Sequence, residues 1–192
     1  MSETASLQRL FVAVPVPQEV FAFIQVAQAL LPPVEGLRLA REDQFHITLA
    51  FIGEVDQEKA AAAAEVVRSV PTESGGEATL AGFLYFPSVN KARVVALGVD
   101  DPTGVFPTLF EQVMTGLEKR GVMRREKRPF KPHLTIARLR IPRLIRPRSE
   151  PGSARFALQS VCLYRSELRR EGALYTVLEE KALEIRQEQV TS

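Results

Sequence analysis

The chain contains two histidines, and both occupy the same short pattern, His46-Ile47-Thr48-Leu49 and His133-Leu134-Thr135-Ile136. With ten threonines in 192 residues, a threonine two places after both histidines is about a one-in-400 coincidence. A histidine titrates near neutral pH, so one ring of a pair can be neutral while the other is protonated. The neutral ring can take a proton from water as it attacks phosphorus, and the protonated ring can supply one to the departing oxygen. Threonine hydroxyls, with arginine or backbone N–H groups, can hold the non-bridging oxygens and stabilise a pentacoordinate transition state. These groups suffice for a metal-independent phosphoesterase acting on a cyclic phosphate ester. One HxT alone reads more simply as a core histidine beside a β-forming threonine. Two matching copies reverse that balance.

Other chemistries fit the residues less well. Two histidines can ligate zinc, but a catalytic zinc site needs a third protein ligand, and no carboxylate is placed beside either motif. The chain has no GxxxxGK[ST] phosphate loop and no GxSxG elbow. Its one cysteine, Cys162, lies in the apolar run Val161–Tyr164 and reads as a small core residue.

Each histidine must be positioned by a strand, where residues i and i+2 share a face. The alternating run from Phe45 to Phe51 puts His46 and Thr48 on one face, with Phe45, Ile47, Leu49 and Phe51 on the other. Strands are also expected over Arg9–Val14, Glu77–Phe86, Ala92–Val99, His133–Leu139, Arg155–Leu163 and Leu174–Glu179. Helices are expected over Gln18–Leu31, over Asp56–Val70 with its five consecutive alanines and an aspartate cap, and over Thr103–Arg120. A weak repeat runs through this order. A strand around Val12, a proline-bearing turn and a helix lead to His46, and a strand around Val95 begins the same sequence towards His133. Two such units facing each other across a pseudo-twofold axis would place the histidine strands on opposite walls of one cleft.

Composition bounds the class. A 45% hydrophobic content is that of an ordinary globular protein. The chain shows no membrane-spanning run, no secretory signal and no cysteine pair, which points to a cytoplasmic protein. The net charge is only +2, yet twelve of the 25 lysines and arginines fall between Lys119 and Arg148, with Glu126 the single acid there. Such a region is either a solvated loop or the contact for an anionic partner.

The motifs together resemble the two-histidine (2H) phosphoesterases, most closely the RNA 2′,3′-cyclic phosphodiesterases, also called 2′-5′ RNA ligases. The resemblance runs through RLFVAVPVPQEV, FHITLAFIGEV, GFLYFPSVNKARVVALGV and RPFKPHLTIARL to Ser166-Glu167-Leu168, Gly172 and Tyr175. It implies an α+β fold spanning residues 1–192 as a single domain. Two pseudo-symmetric lobes with antiparallel-rich sheets would line a central cleft, with helices outside. The implied reaction is hydrolysis of RNA 2′,3′-cyclic phosphate ends to 2′-phosphomonoesters with O3′ as leaving group, reversible towards 2′-5′ ligation. The resemblance makes His46 the acid and His133 the base, with Thr48 and Thr135 on the phosphate oxygens. It implies no cofactor or metal, a monomer, and RNA ends as partners, tRNA fragments among the candidates.

Three further residue assignments come with the resemblance. Arg138, five places after the second histidine, would bind phosphate, although simple alternation turns it to the opposite face, so a bulge or strand end is required. Phe11 either stacks on a terminal base or belongs to the core. A tryptophan common in the family is replaced here by the stretch Leu37–Ala40. Arg124, Arg125, Lys127, Arg128 and Lys131 would steer the RNA backbone, and Arg140 to Arg148 either extends that patch or forms a loop. The rival classes are an RNA end-binding protein, and a related enzyme acting on small cyclic nucleotides or 2′-5′ linkages.

Overall fold

The structure, a computed structural model, describes residues 7–125, 128–169 and 172–185. The apolar run β1 (Gln8–Pro15) stops at its proline, and a 3-10 turn at Gln18–Val20 precedes α1 (Phe21–Ala29). The expected helix over Gln18–Leu31 is therefore shorter, because Val20 leaves the helical region with φ −98° and ψ 0°. The alanine run forms α2 (Gln57–Arg68), and the Asp56 carboxylate accepts the Lys59 N–H at 2.9 Å, as expected of a cap. α3 (Val105–Lys119) starts two residues later than expected. Asp101 accepts the N–H groups of Val105 and Phe106 at 3.1 and 2.7 Å, and Gly104 makes the preceding turn at φ 70°.

The remaining strands are β2 (Leu37–Leu39), β3 (His46–Val55), β4 (Glu77–Phe86), β5 (Ala92–Asp100), β6 (His133–Arg143), β7 (Ser153–Ala157), β8 (Ser160–Arg169) and β9 (Gly172–Ala182). They form one nine-stranded sheet in the order β7-β4-β5-β6-β3-β1-β8-β9, with β2 added on β6. Every strand pairing is antiparallel. The two expected lobes are thus halves of one sheet, joined where β3 meets β6. The expected strand Arg155–Leu163 is two strands in different halves. Leu158 and Gln159 break it, their backbone groups pairing with Gly76 and Leu183 instead.

That break shows how strongly the sheet curls. Six strand spacings separate β7 from β8, about 29 Å if flat. The chain from Ala157 to Ser160 can span only about 11 Å. The far edges must therefore approach each other.

The pseudo-twofold repeat is visible in the register. Val12 pairs with Ala50 as Val95 pairs with Ala137; Ala13 pairs with Thr48 as Ala96 pairs with Thr135; Pro15 pairs with His46 as Gly98 pairs with His133. One face of the sheet carries the histidines. The other carries Leu10, Val12, Ile47, Leu49, Leu134 and Ile136, which join Phe106, Leu109 and Val66 of the helices in one core. β3 and β6 pair through one residue pair, Ile47 with Leu134, both fully buried. Leu134→Ala is therefore expected to cost about 2–5 kcal/mol, read as a lower urea midpoint. A loss under about 1 kcal/mol would mean that this seam is not packed as described.

Candidate active site

Across the Ile47–Leu134 pair the neighbours are His46 with Thr135 and Thr48 with His133. The antiparallel register thereby brings the two motifs together on one face of the sheet. Both motifs line one cavity of about 570 Å³, with Arg38, Arg41, Gln44, Arg138, Gly172 and Tyr175 among the other walls. Among the described residues no aspartate or glutamate lines it. A larger cavity, about 660 Å³, lies between the start of β4 and α3, but no histidine lines it and it includes Glu73 and Glu77. Size alone does not select the site.

Arg138 reaches the cavity through a β-bulge. Thr135 pairs with Ala96 and Ala137 with Val95, so Ile136 is an extra residue on β6. Ile136 and Ala137 consequently both point into the core, and the next residue, Arg138, returns to the histidine face. The carbonyl of Ile136 is satisfied by the Ala40 N–H at 2.9 Å and by the side chain of Gln28 at 2.9 Å. Gln28, 8% exposed, also donates to the Ala40 carbonyl at 2.8 Å. It ties α1, the loop after β2 and the bulge together. Arg38 stands opposite Arg138 across β2 and β6, so two guanidinium groups flank the cavity without an acidic partner among the described residues.

The same bulge occurs in the first motif. Thr48 pairs with Ala13 and Ala50 with Val12, leaving Leu49 as the extra residue. Phe51, expected on the face of Ile47 and Leu49, is thereby turned to the histidine face and is 46% exposed. Alternation failed at the same step in both strands.

The two rings sit in different surroundings. His46 is packed by Phe11, Tyr175 and Tyr164, with ring centroids 4.9, 5.3 and 6.0 Å away. Burial is the main cause that lowers its pKa from 6.5 to about 4; the Gln44 carbonyl opposes the shift, and Arg138 and His133 add to it. His133 has Phe86 at 4.7 Å, and its Nδ1–H donates to the Lys131 carbonyl at 2.8 Å. A carbonyl can only accept, so neutral His133 keeps Nε2 as its free base. Its pKa is also lowered, by burial first and by Arg138 and Lys131, against the Lys131 carbonyl.

Several expected residues sit otherwise than the sequence suggested. Phe11 is 4% exposed and stacked on Tyr164 at 5.0 Å, with Tyr175 edge-on. It has no open face for a base and serves as packing for His46. Arg125, counted in the steering patch, is committed to Glu111 at 2.8 Å and Glu118 at 3.3 Å. Arg124, Arg128 and Lys131 are exposed, while Lys127 lies outside the described residues. The segment Arg140–Arg148 is no free loop: β6 runs to Arg143, the Ile145 N–H bonds to Val89 and the Arg148 N–H to Leu30. Cys162 is buried, as expected. Arg38, Arg41, Gln44 and Gln28 were missed. Arg41 and Gln44 donate to the Ala173 carbonyl at 3.4 and 2.8 Å and bring the β8–β9 hairpin over the site. Gly172 has φ 130°, a backbone conformation that residues with side chains rarely adopt, and a Cβ there would stand 3.3 Å from the Arg41 guanidinium.

A folded-state pKa of about 4 against 6.5 for an ordinary histidine means that the unfolded chain binds more protons between these values. The stability held by neutral His46 is present above pH 6.5 and lost as pH falls towards 4. Urea unfolding should show this decline, and His46→Asn should flatten it. The same slope in both proteins would contradict the buried, neutral ring.

Among the described residues no helix is long and apolar enough to cross a membrane. The 2′-5′ RNA ligase superfamily profile matches residues 16–170. A Thermus thermophilus protein named RNA 2′,3′-cyclic phosphodiesterase is 33% identical over 91% of this chain and 90% of its own. An Escherichia coli protein of the same name is 32% identical over 92% and 97%. The crystal structure of E. coli LigT complexed with 3′-AMP superposes with a TM-score of 0.77 at 30% identity, covering 93% of this chain and 99% of the other. With its two HxT motifs paired at the centre of one curled sheet, the chain belongs to the 2′-5′ RNA ligase superfamily.

Proposed function

We propose that this protein hydrolyses RNA 2′,3′-cyclic phosphate ends to 2′-phosphomonoesters, using His46 and His133 as an acid–base pair and no metal. The observation that carries this reading is the placement of both HxT motifs in one cavity lined by arginines and, among the described residues, by no carboxylate. His133 takes a proton from water through Nε2, which the Lys131 contact leaves free. The water oxygen bonds to phosphorus, the P–O3′ bond breaks, and O3′ receives its proton from His46. The phosphate stays on O2′. Thr48, Thr135 and Arg138, with Arg38 beside it, hold the non-bridging oxygens as charge develops. The names of the relatives support RNA as the substrate class.

Burial makes His46 favour its neutral form, which an acid must overcome. An anionic phosphate adds an opposite charge beside the ring, so the ring gains its proton with the substrate. A 5′-hydroxyl in place of water would attack the same phosphorus and form a 2′-5′ linkage, the ligation direction of the same chemistry. Exposed Arg124, Arg128 and Lys131 supply a salt-sensitive attraction for the RNA backbone.

The direct experiment incubates an oligoribonucleotide ending in 2′,3′-cyclic phosphate with the protein in EDTA. A 2′-phosphate product is expected; a 3′-phosphate, or activity only after metal is restored, contradicts the proposed chemistry. His46→Ala and His133→Ala should each lower the rate about 10²–10⁴-fold with the fold intact. Near-normal turnover by either variant removes that histidine from the mechanism.

A further inference from the structure

Phe51 holds the position in the first unit that Arg138 holds in the second. Phe51 pairs with Phe11 on β1, and Arg138 pairs with Val94 on β5. Both reach the histidine face through a bulge one residue past the motif threonine. Arg138 lines the cavity, whereas Phe51 stands one step beyond Thr48 and outside that lining. Its ring is 46% exposed, although core positions lie immediately before it in the strand. The acid–base chemistry makes no use of it.

Arg9 gives this ring a second component. Its guanidinium carbon lies over Phe51, 4.9 Å from the ring centroid. Arg9 Nε is closed off from solvent and has no hydrogen-bond partner among the described residues. No carboxylate forms an ion pair with Arg9 among the described residues. The aromatic ring, rather than an opposite charge, is the contact the structure records for this cation.

We infer that Phe51, backed by Arg9, is the stacking surface for the base of the terminal nucleotide. This rests on the cyclic-phosphate reading of the cavity. With phosphate held between the motifs, the site differs at its two ends. Arg38 and Arg138, opposite each other across β2 and β6, lie on one side, which suits the anionic chain leading to the terminal ribose. Phe51 lies on the other, which suits an uncharged planar base. Aromatic rings and arginine planes are the groups on which splayed bases stack, and the contact tolerates any base because each has a π face. Phe11, enclosed by three rings, cannot provide it.

The test compares a nucleoside 2′,3′-cyclic phosphate with the base-free methyl riboside 2′,3′-cyclic phosphate. Phe51→Ala should lower kcat/KM on the nucleoside substrate roughly 5- to 150-fold and leave the base-free substrate unaffected. Equal losses on both, or none on either, overturn the assignment. The chain has no tryptophan, so Phe51→Trp would carry the only indole and report stacking directly. Saturable quenching by a nucleoside 2′-monophosphate, but not by methyl riboside 2′-phosphate, is expected. Indole emission unchanged by the bound nucleotide overturns the proposal independently of turnover. If the wild-type protein hydrolyses neither cyclic phosphate, the reading of the cavity falls and this proposal with it. That failure appears in the wild type, not in the variants.

Discussion

The backbone pairing of Ile47 with Leu134 governs where every reactive group stands. Because the strands are antiparallel, one pair is enough to bring the two motifs into one cavity. Because side chains alternate, the same pair sends Ile47 and Leu134 into the core and leaves the four polar groups on the other face. The arrangement is cheap in residues and demanding in register. A slip of one residue would exchange the polar set for the apolar one.

Near-equal backbones then serve unequal chemistry. Both units carry the same bulge, yet the residue it exposes is a cation in one and a phenyl ring in the other. The surroundings of the rings diverge similarly. Three aromatic rings around His46 withdraw it from water, while His133 has one aromatic neighbour and a carbonyl that fixes its tautomer. The backbone provides the symmetry, and the packing breaks it. Gln28 shows the cost of holding a bulge in a buried setting, since the carbonyl freed from regular pairing needs donors from outside the strand.

Much of this was legible in the residues. The HxT pairs, the repeat and the strands bearing both motifs follow from spacing and alternation, and Val12 and Val95 prove to be matched positions. The bulges were not foreseen, although the strings carry a trace of them. Leu49-Ala50 and Ile136-Ala137 put two apolar residues in succession where alternation calls for one. Phe51 was accordingly assigned to the wrong face, while Arg138 was recognised as needing such a break. Arg38, Arg41 and Gln28 were invisible because their roles come from strands and turns distant in sequence. The split of Arg155–Leu163 was hidden for a related reason. Local propensity registers extended chain, not which neighbour it pairs with.

The two-residue link between β7 and β8 has a consequence for how the molecule admits its ligand. The halves are fastened at the centre, through β3 and β6, and again at the far edges, where Ala157 and Ser160 bracket the crossing. A sheet held at both places cannot swing open like the covers of a book. Entry is then into the standing cavity that both motifs line, past the arginines of its wall. The shape of that cavity, rather than a closing motion of the halves, then decides which ends of a chain get in.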